Sequence, residues 1–289
     1  ICKVIFAIFY SLFFLIKKKP KFIFGMGGYA SFPVCFAGMI LRIPFVVYEN
    51  NLLIGKTNRY LIPFAKKIFV SYKDIQGINT KYESKIVITG NILRENIFNY
   101  ARNNKDKVLN KLNILVLGGS QAAKIFAEKL PDVFIKLKKD NINFKIYQQC
   151  LAEQEFNLKK KYDDNNINCE LFNFTFDIIK YYNLSNLVIT RAGSSALAEV
   201  LNCKIPIISI PLASSSENHQ LKNAQYFNEK GFGIMLEEKD LNKGLFNLLQ
   251  SIHNDKSMLK SIKANQKKHS DKNVFVVIKN EIIKLFYEN

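Results

Sequence analysis

An α/β fold of two doubly wound domains is what this sequence predicts, on three observations. From Lys21 onward short β-rich runs alternate with helical stretches, the pattern of parallel strands joined by right-handed crossovers. Most of those runs are continuous β-branched or aromatic stretches, as strands covered on both faces are. A polar segment without a strand, Glu95–Leu112 (ENIFNYARNNKDKVLNKL), separates one alternating series from the next.

The elements follow in order. ICKVIFAIFYSLFFLI is almost wholly apolar before Lys17, Lys18 and Lys19. It is short for a membrane span, which needs about 20 apolar residues. Its main charges follow it, the reverse of a signal peptide. Two readings stay open: a helix with one buried face and an aromatic, lipid-facing side near lysines, or a plain core helix. Strands are expected at Phe22–Phe24, Phe45–Tyr48, Ile68–Val70, Ile86–Ile88, Ile114–Leu117, Phe144–Tyr147, Leu187–Ile189 and Ile207–Ile210. Helices are expected at Ala122–Lys139, Ser194–Leu201, Asn218–Lys230 and Asn273–Tyr287. The expected domains are residues 1–94, joined by the C-terminal helix at about 273–289, and residues 95–272.

With 289 residues, 48% hydrophobic and 23% charged, the chain has material for two ordinary cores, which excludes fibrous and disordered classes. Its 5 cysteines contain no CxxC and its 3 histidines no ligand spacing, which argues against a structural zinc site and for buried, reduced thiols. A net charge of +18 predicts an anionic partner: nucleic acid, a membrane surface or a phosphorylated substrate. The excess is lysine, with arginine only at Arg42, Arg59, Arg94, Arg102 and Arg191, and arginine forks are what sequence-reading interfaces favour. Nucleic acid is therefore set aside.

Phosphate chemistry is written at strand ends. Gly118-Gly119-Ser120-Gln121 follows a strand and precedes a helix, so backbone N–H groups and the Ser120 hydroxyl can receive an anion. It matches neither GxGxxG nor a Walker loop. Gly25-Met26-Gly27-Gly28 is a weaker version of the same device. In RAGSSALAE, Gly193 makes a turn, Ser194 or Ser195 can cap a helix whose first N–H groups suit a diphosphate, and Glu199 can accept both hydroxyls of a ribose. Downstream, the amides of Gln220 and Asn223 can hydrogen-bond sugar hydroxyls.

The segments GMGGYASFP, PFVVYENNLLIGKTNR, GNILRENI, ILVLGGSQAAKI, NLVITRAGSSALAEV and HQLKNA, in this order and spacing, closely resemble the bacterial peptidoglycan glycosyltransferases of the MurG family. The resemblance implies a GT-B fold, two Rossmann-like domains facing a cleft, with no metal or other cofactor. It implies transfer of N-acetylglucosamine (GlcNAc) from UDP-GlcNAc to lipid I, undecaprenyl-pyrophosphoryl-N-acetylmuramyl-pentapeptide, giving lipid II. It also implies a peripheral place on the anionic cytoplasmic face of the inner membrane, with the opening helix as the apolar patch.

Residue by residue, the resemblance makes Glu199 the ribose-binding acid, Ser120 the phosphate-loop serine and Gln220 a donor-sugar contact. It makes Asn51 an asparagine near that sugar, Arg94 the nucleotide-site arginine and Thr175 the position whose backbone reads uracil. Departures are Ala122 for glycine, Lys124 for arginine, Ala196 for threonine and His219 for glutamine. The family's GGTGGH loop and first strands have no counterpart, so a truncated N-domain with an exposed sheet edge is expected. No catalytic residue is assigned: the histidine of that loop is missing, and none of His219, His253 or His269 replaces it. An inactive remnant that still binds nucleotide or membrane, and a transferase acting on a different lipid, are the alternatives.

Overall fold

All strand pairings among the described residues are parallel, and they build two separate sheets. The computed structural model describes residues 2–103, 111–212 and 214–287, with the backbone alone described at 2, 101–103, 119–123, 216 and 287. The chain divides into two compact units, residues 1–92 with 271–289, and residues 93–270.

The first unit runs α1 (Cys2–Lys18), β1 (Ile23–Gly25), α2 (Gly28–Ile40), β2 (Phe45–Glu49), α3 (Lys56–Leu61), β3 (Ile68–Val70) and β4 (Ile86–Ile88), with strand order β1-β2-β3-β4. Every residue of β2 and β3 is buried, so these two strands are the apolar centre of the sheet. Cys35 and Ala37 of α2 pack against them with Ile54 and Leu61. Gly25 lets α2 lie close: a Cβ there would stand 2.6 Å from Cys35 Sγ. Burial pushes the Cys35 thiol up to about 11, which suits a small apolar core residue.

α1 is no core helix. Of its described side chains only Ser11 and Leu15 are buried, whereas Phe6, Phe9, Tyr10 and Phe13 are each about two-thirds exposed or more, at 74%, 66%, 65% and 67%. Among the described residues no helix is long and apolar enough to cross a membrane.

The second unit runs α4 (Glu95–Asn103), β5 (Leu112–Leu117), α5 (Gly119–Lys139), β6 (Phe144–Gln149), α6 (Ala152–Asp163), β7 (Cys169–Phe172), α7 (Ile178–Leu184), β8 (Leu187–Arg191), α8 (Ser194–Asn202), β9 (Ile207–Ile210), α9 (His219–Glu229), β10 (Ile234–Met235), α10 (Lys243–Asn254) and α11 (Ser257–Lys267). Helix α12 (Val274–Tyr287) belongs to the first unit. The six strands stand in the order β10-β9-β8-β5-β6-β7. The chain therefore winds outward from β5 to one edge, returns, and winds from β8 to the other. That doubly wound order has its reversal between β5 and β8, and ligands in such sheets sit beyond the carboxyl ends of the strands at the reversal.

The expected strands and helices are present, and two strands were not anticipated. β7 and β10 are both outermost. In β7 three of the four residues are only half-buried, and β10 is two residues long, so neither carries the apolar run of a central strand.

Candidate functional site

The reversal point brings two helix N-termini side by side, because Leu117 at the end of β5 pairs with Thr190 near the end of β8. α5 begins at Gly119, three residues earlier than expected, so Gly118 alone is the N-cap and Ser120 lies in the first helical turn. The Ser120 side chain is outside those described.

After β8 the turn is shorter than the sequence suggested. Gly193 is the N-cap of α8, and no side chain caps it; Ser194 and Ser195 are the first two helical residues rather than caps. Ser194 is buried. The Gly193 backbone, at φ −66° and ψ 133°, is open to any residue, and a Cβ there would meet nothing within 4 Å. Neither backbone nor packing requires glycine at this position. A turn without a side chain at this position is one that permits close approach of a ligand to a helix N-terminus.

Leu197, Ala198, Val200 and Leu201 are fully buried, which fixes the rotation of α8 and turns Glu199 away from the core. Arg94, just before α4, meets it with a two-pronged ion pair: Nε donates to Oε1 at 3.1 Å and an Nη to Oε2 at 2.9 Å. The hydrogen bond to Glu199 raises the guanidinium pKa further. The Tyr182 hydroxyl donates to Glu199 Oε2 at 3.3 Å, and burial, with the charge of Glu199, pushes that phenol well above its ordinary range. Two residues singled out separately in the sequence are thus partners.

Asn223 stands on α9. It is buried, and its Nδ2 donates to the Ala192 carbonyl at 3.2 Å, bracing the turn that leads into α8. Gln220, one turn earlier on α9, accepts the Leu212 N–H at 3.0 Å through Oε1 and so shapes the loop after β9. The two residues before α9, Glu217 and Asn218, both adopt positive φ, at 50° and 58°.

Thr175 sits in the loop between β7 and α7, where its hydroxyl accepts the Asp177 N–H at 3.0 Å. Phe174 and Phe176 flank it, 72% and 86% exposed, edge to face with ring centres 4.9 Å apart. Two bare aromatic faces beside a polar turn form a surface on which a planar base can stack.

On the first unit, Asn51 is held by a residue that the sequence pattern does not single out. Glu49, only 5% exposed, accepts the Asn51 N–H at 3.0 Å and its Nδ2 at 2.9 Å through Oε1. Through Oε2 it accepts Gly55 N–H at 3.0 Å and Asn58 Nδ2 at 2.9 Å. The available signal was a carboxylate closing an otherwise apolar strand, which must find donors when buried. The second glycine loop, Gly25-Met26-Gly27-Gly28, turns into α2 with Gly27 and Gly28 at φ 75° and 73°.

The glycosyltransferase family 28 N-terminal domain matches residues 1–70, and the family's C-terminal domain matches residues 113–278. The UDP-N-acetylglucosamine–N-acetylmuramyl-(pentapeptide) pyrophosphoryl-undecaprenol N-acetylglucosamine transferase of Pelagibacter ubique is 37% identical over 286 residues, 99% of this chain and 80% of that protein. The same-named protein of Rickettsia bellii is 36% identical over 242 residues, 81% of this chain and 67% of that one. In fold, the chain resembles crystalline Acinetobacter baumannii MurG, with TM-score 0.77 at 24% identity over 96% of this chain and 80% of that one. It also resembles S. aureus MnaA, solved with UDP, with TM-score 0.70 at 14% identity over 98% of this chain and 80% of that one. The fold is thus GT-B, and with the identity to its relatives spanning nearly the whole sequence, the chain belongs to the MurG family within glycosyltransferase family 28.

Proposed function

We propose that this protein is an inverting hexosyltransferase that moves GlcNAc from UDP-GlcNAc to lipid I in peptidoglycan synthesis. The observation that carries the donor assignment is the pairing of Arg94 with Glu199 on the helix that starts at the reversal of a doubly wound sheet. In this reading Glu199 accepts the ribose hydroxyls, the N–H groups of Ser194, Ser195 and Ala196 receive the diphosphate, and the Thr175 backbone reads uracil between exposed rings. Gln220 lies on the sugar side. Asn51 enters as a donor-sugar contact on the family pattern.

The acceptor C4 hydroxyl forms a bond to C1 of GlcNAc as the bond from C1 to the phosphate oxygen breaks. UDP leaves with the electron pair, and the hydroxyl proton passes to a base. Charge grows on the leaving diphosphate, so fixed amide dipoles at the α8 N-terminus stabilise the transition state more than the ground state.

Calorimetric titration with UDP-GlcNAc, with UDP-glucose as control donor, tests the donor site. Glu199→Ala removes a charged acceptor, and even one such hydrogen bond is worth about 1.5–3 kcal/mol, so donor affinity is expected to fall at least tenfold. A variant that binds as tightly as the parent overturns the ribose assignment.

The exposed aromatic side of α1, with Lys17, Lys18, Lys19 and Lys21 at its end, supports contact with an anionic bilayer at the cytoplasmic face of the inner membrane. Flotation with liposomes is expected to recover the protein with anionic vesicles and to lose it when those four lysines become glutamine. Recovery in the soluble fraction with every lipid tested counts against this patch.

A further inference from the structure

Arg191 is a buried cation near the reversal point, and the chemistry above leaves it unused. It closes β8 and is 7% exposed, although arginine is expensive to bury. One Nη donates to the carbonyls of Ile210 at 3.3 Å and Pro211 at 3.4 Å, at the end of β9. The other lies 2.7 Å from Glu238 Oε2, just beyond β10. The guanidinium also covers the ring of Phe126, with its carbon 5.1 Å from the ring centre, and Phe126 is a fully buried residue of α5. One planar group therefore ties together the carboxyl ends of β8, β9 and β10 and the helix that follows β5. Its backbone leads directly into Ala192 and Gly193, the turn that Asn223 braces from the other side.

We propose that Arg191 is a positioning residue for the donor diphosphate: it holds the β8–α8 turn against its neighbouring strand ends, so that the α8 N–H groups are fixed before the ligand arrives. The role needs a fork, because a single ammonium cannot meet two strand-end carbonyls, Glu238 and an aromatic face together. The proposal rests on the reading of the α8 N-terminus as the diphosphate site.

Uridine and UDP separate the two claims, since they differ by the diphosphate alone. Dissociation constants for both are measured on the full chain for the parent, Arg191→Met, Arg191→Lys and Glu238→Gln, with thermal unfolding recorded for each. The parent is expected to bind UDP far more tightly than uridine. Arg191→Met is expected to lower UDP affinity at least tenfold and uridine affinity less than threefold. Arg191→Lys should fall between parent and Arg191→Met, and Glu238→Gln should cost UDP about threefold. A merely structural role would weaken both ligands together. If the parent binds UDP no better than uridine, the diphosphate reading fails. If the parent shows the difference and the folded variants keep it whole, the positioning role is overturned. Should Arg191→Met not fold, the lysine and Glu238→Gln variants decide the matter on the same criterion.

Discussion

Gly193→Ala is expected to leave the fold intact and to cost UDP-GlcNAc affinity at least tenfold. The backbone at φ −66° and ψ 133° accepts alanine without strain, and the new methyl meets no protein atom within 4 Å. Alanine caps a helix somewhat less well than glycine, and it loses less backbone entropy on folding; the two effects oppose each other, for a net change within about 1 kcal/mol. On the proposed reading, the methyl would occupy the open space at the start of α8 through which phosphate oxygens must come within hydrogen-bond distance of the amides. Displacing charge-assisted hydrogen bonds of roughly 1.5–3 kcal/mol each gives the predicted loss. Calorimetry for donor binding and thermal unfolding for stability check both halves. Unchanged affinity would show that the open space above Gly193 is not the donor's. Gly25→Ala is the contrasting control: its methyl would collide with Cys35 Sγ, so it is expected to lower stability.

Gly25 and Gly193 both stand at strand-to-helix turns and read alike in sequence, yet packing inside the protein requires the first and not the second. The central strands were legible because burial on both faces leaves an unbroken apolar run, as in β8 and β9. β7 was not, since Glu170 within it faces solvent and pairs with Lys180 at 2.7 Å, which breaks the run with a charge. The helix after β8 was legible; its cap was not, because whether serine stands at the N-cap or one residue inside depends on the length of the turn. Glu199 and Arg94 could each be named on the family pattern, whereas their mutual ion pair spans 105 residues of sequence and is a product of folding alone. For Asn223 the sequence leaves the direction of the side chain open, because an amide on the first turns of a helix can face either way. The Ala192 carbonyl supplies the partner that turns it inward.

Glu49 is the residue whose loss is expected to matter most for stability. It is nearly fully buried, and its two oxygens accept four hydrogen bonds, two each. Glu49→Gln keeps the shape and removes the symmetry: one end of an amide accepts and the other donates. Whichever way the glutamine turns, an NH₂ group faces either the two donors of Asn51 or those of Gly55 and Asn58. Two hydrogen bonds are lost and donors are set against donors, at a cost of about 2–4 kcal/mol. The loss falls on the segment from Asn50 to Gly55, whose regular pairing is limited to the Leu53–Gln76 bridge and which this carboxylate ties down at both ends. Thermal unfolding of the first unit is expected to shift down by roughly 5–15 °C, at a few degrees per kcal/mol. UDP affinity, which depends on groups of the second unit, is expected to stay within twofold, while GlcNAc transfer falls as Asn51 loses its fixed orientation. Glu49→Ala is expected to be more damaging still, since four donors lose their acceptor at once. An unfolding transition unchanged in Glu49→Gln would show that the loop holds its course without the carboxylate, and Asn51 would then owe its position to something else.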